Sequence, residues 1–262
     1  MLLEVAISTI NQGLYNIRLQ EGVEYLIVHQ VTDGREREYQ KYTECSFFES
    51  SVRYMQSAES GLSVSRNLAL SLSQADYIWI MDDDTQLNLT AMRSIRAMLS
   101  KHQPDILTLE HSKEPCVYGV HLSPTTIVKG HSYVSALSVS SIDMIVSSKL
   151  VIRFDESFGL GARYVSGEEY IFLLDALNKG LRAVKSEVIG SIHIGPSSGA
   201  FFYRSDLSIE SKFVMFDRAH LKLSWLWSLA FIIKKSLLLF KHSRLGPALS
   251  LYLKHYLLSW RK

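Results

Sequence analysis

The sequence predicts an α/β protein with a largely parallel sheet. Two observations carry that prediction. Over the first 110 residues, short apolar runs of strand type alternate with longer amphipathic runs of helix type, the order that βαβ units impose. A chain of 262 residues that is 47% hydrophobic is also long enough to bury a full core.

The elements follow in order. Val5 to Ile10 reads as a strand, and Asn11-Gln12-Gly13 as the turn after it. Val23 to His29 is a second strand, ending in the polar Gln30-Val31-Thr32-Asp33-Gly34. Leu62 to Ser73 is a helix entered through Ser60-Gly61, and Asp76 to Met81 is the next strand. Asn88 to Lys101 is a helix with Asn88 as its expected N-cap, followed by a strand from Asp105 to Leu109. Residues 111 to 150 hold Gly119, Pro124, Gly130 and many Ser, with a β-like run from Ile142 to Val146, and predict mixed strand and loop. A helix from Tyr170 to Lys179 is closed by Gly180.

The strand at Tyr77-Ile78-Trp79-Ile80-Met81 stops in Asp82-Asp83-Asp84. Three adjacent carboxylates repel one another, and burying them unpaired costs several kcal/mol. At a strand end they suit a divalent cation, because hard cations prefer carboxylate oxygen; the alternative is a solvated acidic turn. Ligands of open α/β sheets bind at the carboxyl ends of the strands, so the first, second and Asp-bearing strands are expected to meet at one crevice. Three further patterns face that expectation. Gly61-Leu62-Ser63-Val64-Ser65-Arg66-Asn67 sets Arg66 and Asn67 on the first turns of a helix. Gly167-Glu168-Glu169 puts two carboxylates at a helix start, where one can take a proton from a hydroxyl. His193 ends a strand run before Gly195-Pro196-Ser197-Ser198-Gly199, where an imidazole can meet a metal. Taken singly, each also reads as a surface Arg with a capping Asn, ordinary first-turn acids, or a strand-end His.

The order of these four elements resembles family 2 glycosyltransferases, over about residues 3 to 200, and in particular bacterial members that build capsule, O-antigen or exopolysaccharide. The resemblance implies a GT-A fold, a Rossmann-like mixed sheet flanked by helices that binds a nucleotide-sugar. Residues 1–205 would form the catalytic domain, with 1–110 as its nucleotide-binding half and 111–205 as its acceptor and base half. It also implies metal-dependent, inverting transfer of a hexosyl group to a saccharide. Asp82-Asp83-Asp84 would be the Asp-x-Asp motif, with Asp84 and Asp82 as metal ligands for Mn²⁺ or Mg²⁺, joined by His193. Thr9, Asn11, Arg66, Asn67, Asp82 and Asp83 would line the donor site. Glu169 falls at the catalytic-base position beside Glu168, where the family carries Glu-Asp. Many relatives have an acidic residue straight after the second strand that contacts uracil; here either Asp33 or Gln30 takes that place, with a UDP-sugar as the favoured donor. Two rivals differ in kind: a nucleotidyltransferase, for which a basic Gly-rich loop near the N-terminus is missing, and a non-catalytic GT-A domain acting as an assembly partner at a membrane.

Charge divides the chain. From Arg218 to Lys262 there are nine Lys/Arg and no Asp/Glu, against nineteen and twenty-six in the first 217 residues. The same segment is rich in Leu and Trp, yet its longest uncharged run, Leu223 to Ile233, falls short of the ~20 residues a spanning helix needs. Residues 206–262 are therefore expected to form a basic amphipathic helical tail on an anionic membrane surface, with a second helix from Ala248 to Trp260 started by Pro247; helices packed on the core are the alternative. The apolar content and the lack of a recognised motif speak against nucleic acid. Cys45 and Cys116 show no metal-ligand spacing, and Met1-Leu2-Leu3-Glu4-Val5 reads as a strand start and not a signal peptide. The expected setting is cytoplasmic, on the inner face of the cell membrane, with a lipid-linked acceptor.

Overall fold

The computed structural model describes residues 1–47, 51–114, 128–195, 198–219 and 222–259. The expectations placed on Cys116, Gly119, Pro124, Pro196, Ser197 and Trp260 lie outside the described residues. The strands are β1 (Leu3–Ile10), β2 (Glu24–Gln30), β3 (Val52–Ser57), β4 (Tyr77–Asp82), β5 (Gln86–Leu87), β6 (Ile106–Ser112), β7 (Lys129–Gly130), β8 (Met144–Ser147) and β9 (Ala183–Ile192). The helices are α1 (Glu36–Ser46), α2 (Leu62–Leu72), α3 (Met92–His102), α4 (Tyr133–Ala136), α5 (Glu168–Asn178), α6 (Asp206–Arg218), α7 (Ser224–Lys241) and α8 (Leu245–Ser259).

One mixed sheet organises them, in the order β3-β2-β1-β4-β8-β6-β9-β5, with β7 also on β9. β3, β2, β1 and β4 run parallel. β8 is antiparallel to both β4 and β6, and β9 resumes the parallel direction beside β6. The central strands are apolar on both faces because both faces are covered. On one face Val5, Ile7, Trp79 and Met81 pack with Ile95, Met98 and Leu99 of α3. On the other, Ala6, Ile78 and Ile80 pack with Ala69 of α2, Phe172 of α5 and Met215 and Phe216 of α6. The parallel register of β1 and β4 brings Ser8 level with Asp82, so the last residues of both strands open at the same edge.

Several expectations are refined. Asn11-Gln12-Gly13 is the start of a 3-10 helix, Asn11–Asn16, and not a simple turn. α1 and β3, which the apolar pattern does not announce, fill the interval between Gly34 and Gly61. Asn88 makes no side-chain cap to the helix it precedes; its amide donates to the carbonyl of Ile189 at 2.8 Å instead, tying the helix entry to β9. At the end of α5, Gly180 at φ +72 closes a Schellman motif: its N–H reaches Leu177 and that of Leu181 reaches Ala176, both at 3.0 Å.

The C-terminal helices do pack on the body. Phe202, Ile209, Phe213, Ile232, Leu239 and Ala248 form their own apolar cluster, and Arg218 joins Asp155 at 2.6 Å and Asp175 at 3.2 Å. Their outer faces nevertheless stay apolar. Ile233, Leu237 and Phe240 are 65%, 85% and 74% exposed on α7, and Leu249, Leu253 and Leu257 lie at four-residue intervals exposed on α8. Among the described residues, no helix is long and apolar enough to cross a membrane.

Candidate active site

The carboxylate triplet is divided among three partners. Asp82 closes β4 and accepts a hydrogen bond from the Arg66 guanidinium at 3.1 Å. Asp83 turns toward β1 and accepts the Thr9 hydroxyl at 2.5 Å. Burial raises the Asp83 carboxyl to about 6, opposed by the Thr9 hydrogen bond and assisted by the charges of Asp84 and Asp82. This contact needs Gly13, where a Cβ would stand 2.2 Å from the Asp83 Oδ2 and 2.6 Å from the Thr9 Oγ1. Asp84 remains exposed and meets the His193 Nε2 at 3.2 Å. His193 arrives because it follows β9, whose last residue Ile192 pairs with Gln86 just beyond the triplet.

Arg66 is the hub. α2 begins at Gly61, held at φ +120 where a side chain would be strained, and its second turn drives Arg66 into the interior, where only 2% of it is exposed. A buried guanidinium needs several acceptors. It reaches Asp82 at 3.1 Å, Glu168 at 3.1 Å and the Ser141 hydroxyl at 2.6 Å, with Glu169 at 4.0 Å and the Phe154 ring at 5.7 Å. Its Nε and the Glu168 Oε2 are buried without a partner.

Glu168 and Glu169 open α5 after Gly167, whose φ of +114 and close approach to Met215 (2.8 Å from a would-be Cβ) suit glycine alone. Glu168 is buried against Arg66, while the Glu169 side chain keeps 22% exposure. Burial, reinforced by the neighbouring Glu168 charge, pushes the Glu169 carboxyl up to about 8; Arg66 and Lys212 act in the opposite sense. Burial likewise holds the Lys212 ammonium below its usual range. A cavity of about 580 Å³ extends from these two glutamates to α6 and α7, with Tyr170, Met215, Trp227 and Phe231 on its walls.

The other expected donor residues serve the scaffold as seen here. Asn11, at φ +47, accepts the Thr32 N–H at 2.8 Å, and its carbonyl meets the His29 Nε2 at 2.9 Å. Gln30 is buried and donates to the carbonyls of Glu59 and Gly61 at 2.9 and 3.0 Å. Asp33 is exposed and accepts the Tyr39 hydroxyl at 2.6 Å, which holds its carboxyl below the usual range. Asn67 pairs with the backbone of Phe154 in both directions, at 2.8 and 3.0 Å. Of the two candidates for contact with a nucleobase, Asp33 is therefore the one turned to solvent.

Sequence reasoning passed over His111, Asp143, Ser141 and Lys212. His111 is the penultimate residue of β6 and is 3.0 Å from Asp143, whose hydrogen bond raises the imidazole's pKa; its ring centre lies 6.3 Å from that of His193. The strand-end position of His111 is a signal like that of His193, whereas a single Lys on an amphipathic helix carries none.

Among the described residues, no three His, Cys, Asp or Glu side chains converge as a metal site. The donor chemistry of Asp84 with His193 fits a divalent cation all the same, since an exposed carboxylate and an imidazole face each other at 3.2 Å beside two further carboxylates. Asp82, the other expected ligand, is engaged by Arg66.

Comparison with known proteins places these features. Residues 6–116 match the family model described as Glycosyl transferase family 2. Comparison with curated proteins returns no match. Among solved structures, S. aureus TarS residues 1–349 superpose with a TM-score of 0.54 at 16% identity, covering 83% of this chain and 65% of that one. The same TarS segment in complex with UDP gives 0.53 at 17% identity over 85% and 67% of the two chains, and in complex with UDP-GlcNAc 0.53 at 16% over 83% and 66%. The chain thus spans about two thirds of the length of that TarS segment. Residues 6–116 match glycosyl transferase family 2, the family that the motifs resemble, and the sheet and helices built around them form a GT-A fold.

Proposed function

We propose that the protein is an inverting glycosyltransferase that moves a hexosyl group from a UDP-sugar to a saccharide hydroxyl. The observation that carries this reading is the Arg66 bridge, which sets the carboxylates of β4 and the first turn of α5 on opposite sides of one buried cation. The donor's nucleotide would lie over the ends of β1, β2 and β4, near Thr9, Asn11 and Asp33. TarS, crystallised with UDP and with UDP-GlcNAc, supports uridine as the nucleotide.

Glu169 is the base in this scheme because its side chain is the more exposed of the two glutamates on the cavity, 22% against 6%, while Glu168 is committed to Arg66. Its carboxylate takes the acceptor's hydroxyl proton as that oxygen bonds to the anomeric carbon. The bond from that carbon to the diphosphate breaks on the opposite face, and the nucleoside diphosphate leaves with the electron pair. Asp84 and His193 would hold Mn²⁺ or Mg²⁺, which when bound supplies positive charge for the leaving diphosphate. Arg66 holds Glu168 and Asp82 in place through hydrogen bonds from one guanidinium.

The acceptor is proposed to be lipid-linked, in bacterial surface polysaccharide synthesis, with the protein on the inner face of the membrane. The exposed apolar rows of α7 and α8, flanked by the basic residues of the C-terminal segment, support this placement. Calorimetric titration with UDP and with GDP, in Mn²⁺ and again in EDTA, tests the donor assignment. UDP binding that needs the metal is expected. Absence of binding to either nucleotide by folded protein would overturn the reading in favour of a non-catalytic partner.

A further inference from the structure

His111 and Asp143 form a pair for which the proposed chemistry has no use so far. The His111 Nδ1 lies 3.0 and 3.2 Å from the two Asp143 oxygens. Asp143 is buried and ends a single 3-10 turn, Ser141–Asp143. Each residue of that turn is tied down. The Ser141 hydroxyl accepts from Arg66 at 2.6 Å, the Ile142 carbonyl accepts from the Trp79 indole at 2.8 Å, and Asp143 accepts the Ser140 N–H at 3.3 Å. The guanidinium that holds Asp82 and Glu168 thus also holds the turn that supports His111. The imidazole borders both halves of the site. Its ring meets that of His193 edge to face, with centres 6.3 Å apart, and His193 in turn meets Asp84. It also lines the cavity shared by Glu168 and Glu169.

We propose that His111 is a specificity residue for the transferred sugar: its Nε2 bonds a ring hydroxyl of the donor's hexosyl group, and Asp143 is the positioning residue that aims it. The assignment rests on the glycosyltransferase reading and adds to it a contact that discriminates among donor sugars. In an inverting displacement the anomeric carbon lies between the leaving diphosphate and the attacking hydroxyl. The sugar ring therefore occupies the interval between the Asp84–His193 pair and Glu169, which is the interval that His111 borders. A carboxylate on Nδ1 fixes the ring's orientation and keeps Nε2 for a ligand. A sugar hydroxyl both donates and accepts, so Nε2 can bond it whether the imidazole is neutral or charged. An acceptor saccharide carries the same hydroxyl chemistry, and binding measured with the donor alone separates the two sources.

Calorimetry in Mn²⁺, without acceptor, compares UDP with UDP-glucose, UDP-galactose and UDP-N-acetylglucosamine. His111→Phe keeps an aromatic ring against His193 and removes both nitrogens. For the UDP-sugar that the parent binds most tightly, this variant is expected to lose ~10-fold in affinity. Its UDP affinity is expected to stay within about twofold of the parent's, which also certifies that it folds. Asp143→Asn retains a carbonyl that accepts the Nδ1–H and should keep the UDP-sugar affinity within a few-fold, whereas Asp143→Ala should approach the loss of His111→Phe. A His111→Phe protein that binds the UDP-sugar like the parent would overturn the proposal. So would equal losses for UDP and UDP-sugar, which would place His111 on the nucleotide or the scaffold, and so would a loss in Asp143→Asn as large as in Asp143→Ala. A parent that binds UDP but none of the three UDP-sugars removes this inference alone, whereas a parent that does not bind UDP removes the reading beneath it.

Discussion

Arg66 donates to Glu168 at 3.1 Å, joining two residues 102 positions apart in sequence. The same guanidinium donates to Asp82 at 3.1 Å, so one buried side chain fixes the distance between the end of β4 and the start of α5. Breaking a buried ion pair by removing one member costs ~3–5 kcal/mol, because the abandoned charges stay buried. Arg66→Met is therefore expected to destabilise the fold by about that amount. Urea unfolding checks it through a fall in midpoint at unchanged slope. Arg66→Lys should fail to restore the parent stability, since a single ammonium lacks the planar fork that serves Asp82, Ser141 and Glu168 together.

Gly13 tests the contact between β1 and the triplet. An alanine there would bring its Cβ within 2.2 Å of the Asp83 carboxylate and 2.6 Å of the Thr9 hydroxyl. Gly13→Ala is expected to cost ~1–3 kcal/mol of stability by overpacking and to weaken UDP binding as Asp83 is displaced. A variant with parent thermal stability and parent UDP affinity would show that the Thr9–Asp83 contact is not maintained in solution.

These two sites differ in how far the sequence announced them. The Asp triplet is legible because an apolar strand that ends in three carboxylates has few inexpensive structural explanations, and the Glu168-Glu169 pair is legible because it begins a helix after glycine. Gln30 and Asn67 are not, since an amide that braces backbone carbonyls and one that holds a ligand look identical in sequence. α1 escaped because only Tyr39 and Thr43 of its eleven residues are buried, too few to make a helical period, and β3 escaped because it is the half-exposed edge strand. Lys212 acquires its place only when α6 folds back beside α5, a long-range event with no local pattern. The C-terminal helices pack their inner faces on the body, the alternative to a membrane-lying tail, and leave apolar side chains exposed on their outer faces.

Glu169 predicts the pH dependence. A base must be deprotonated to act, and its carboxyl is pushed up to about 8 by burial and by Glu168. kcat/KM is therefore expected to climb with pH toward about 8, where an ordinary carboxylate would have levelled off above ~5. Lys212 lowers that value, so Lys212→Met should move the rising limb to higher pH. The stability linkage has the opposite slope: the folded state holds this proton more tightly than the unfolded chain, so the stability it contributes is complete below the unfolded value and is lost as pH rises toward about 8. A flat rate profile from pH 5.5 to 9 would contradict the assignment.

Replacing the proposed base separates chemistry from binding. Glu169→Gln removes the proton acceptor while keeping the side chain's size, and a ~10²–10⁴-fold loss in turnover is expected. UDP affinity should be nearly unchanged, because Glu169 lines the cavity toward α6 and α7 and not the ends of β1 and β4. Turnover within a few-fold of the parent would assign the base elsewhere, with Glu168 and His111 the other candidate proton acceptors on the same cavity.

The outward faces of α7 and α8 make the last prediction. Ile233, Leu237 and Phe240 share one exposed face of α7, following the helical spacing of three and four residues, and the inner-face residues Ser228, Ile232 and Leu239 are already buried. The outer row is thus available without unpacking the helix. Burying a large apolar side chain is worth roughly 1.5–3 kcal/mol, and each basic residue near an anionic surface adds about 1 kcal/mol. The triple substitution Ile233→Ser, Leu237→Ser and Phe240→Ser is expected to lower affinity for anionic liposomes by at least ~10-fold while leaving UDP binding intact. Raising the salt concentration should weaken the parent protein's attachment and leave the residual binding of the variant with the same salt slope, because the lysines are untouched. Flotation with phosphatidylglycerol vesicles measures both. Equal flotation of parent and variant would place the membrane contact, if one forms, on another face of the molecule.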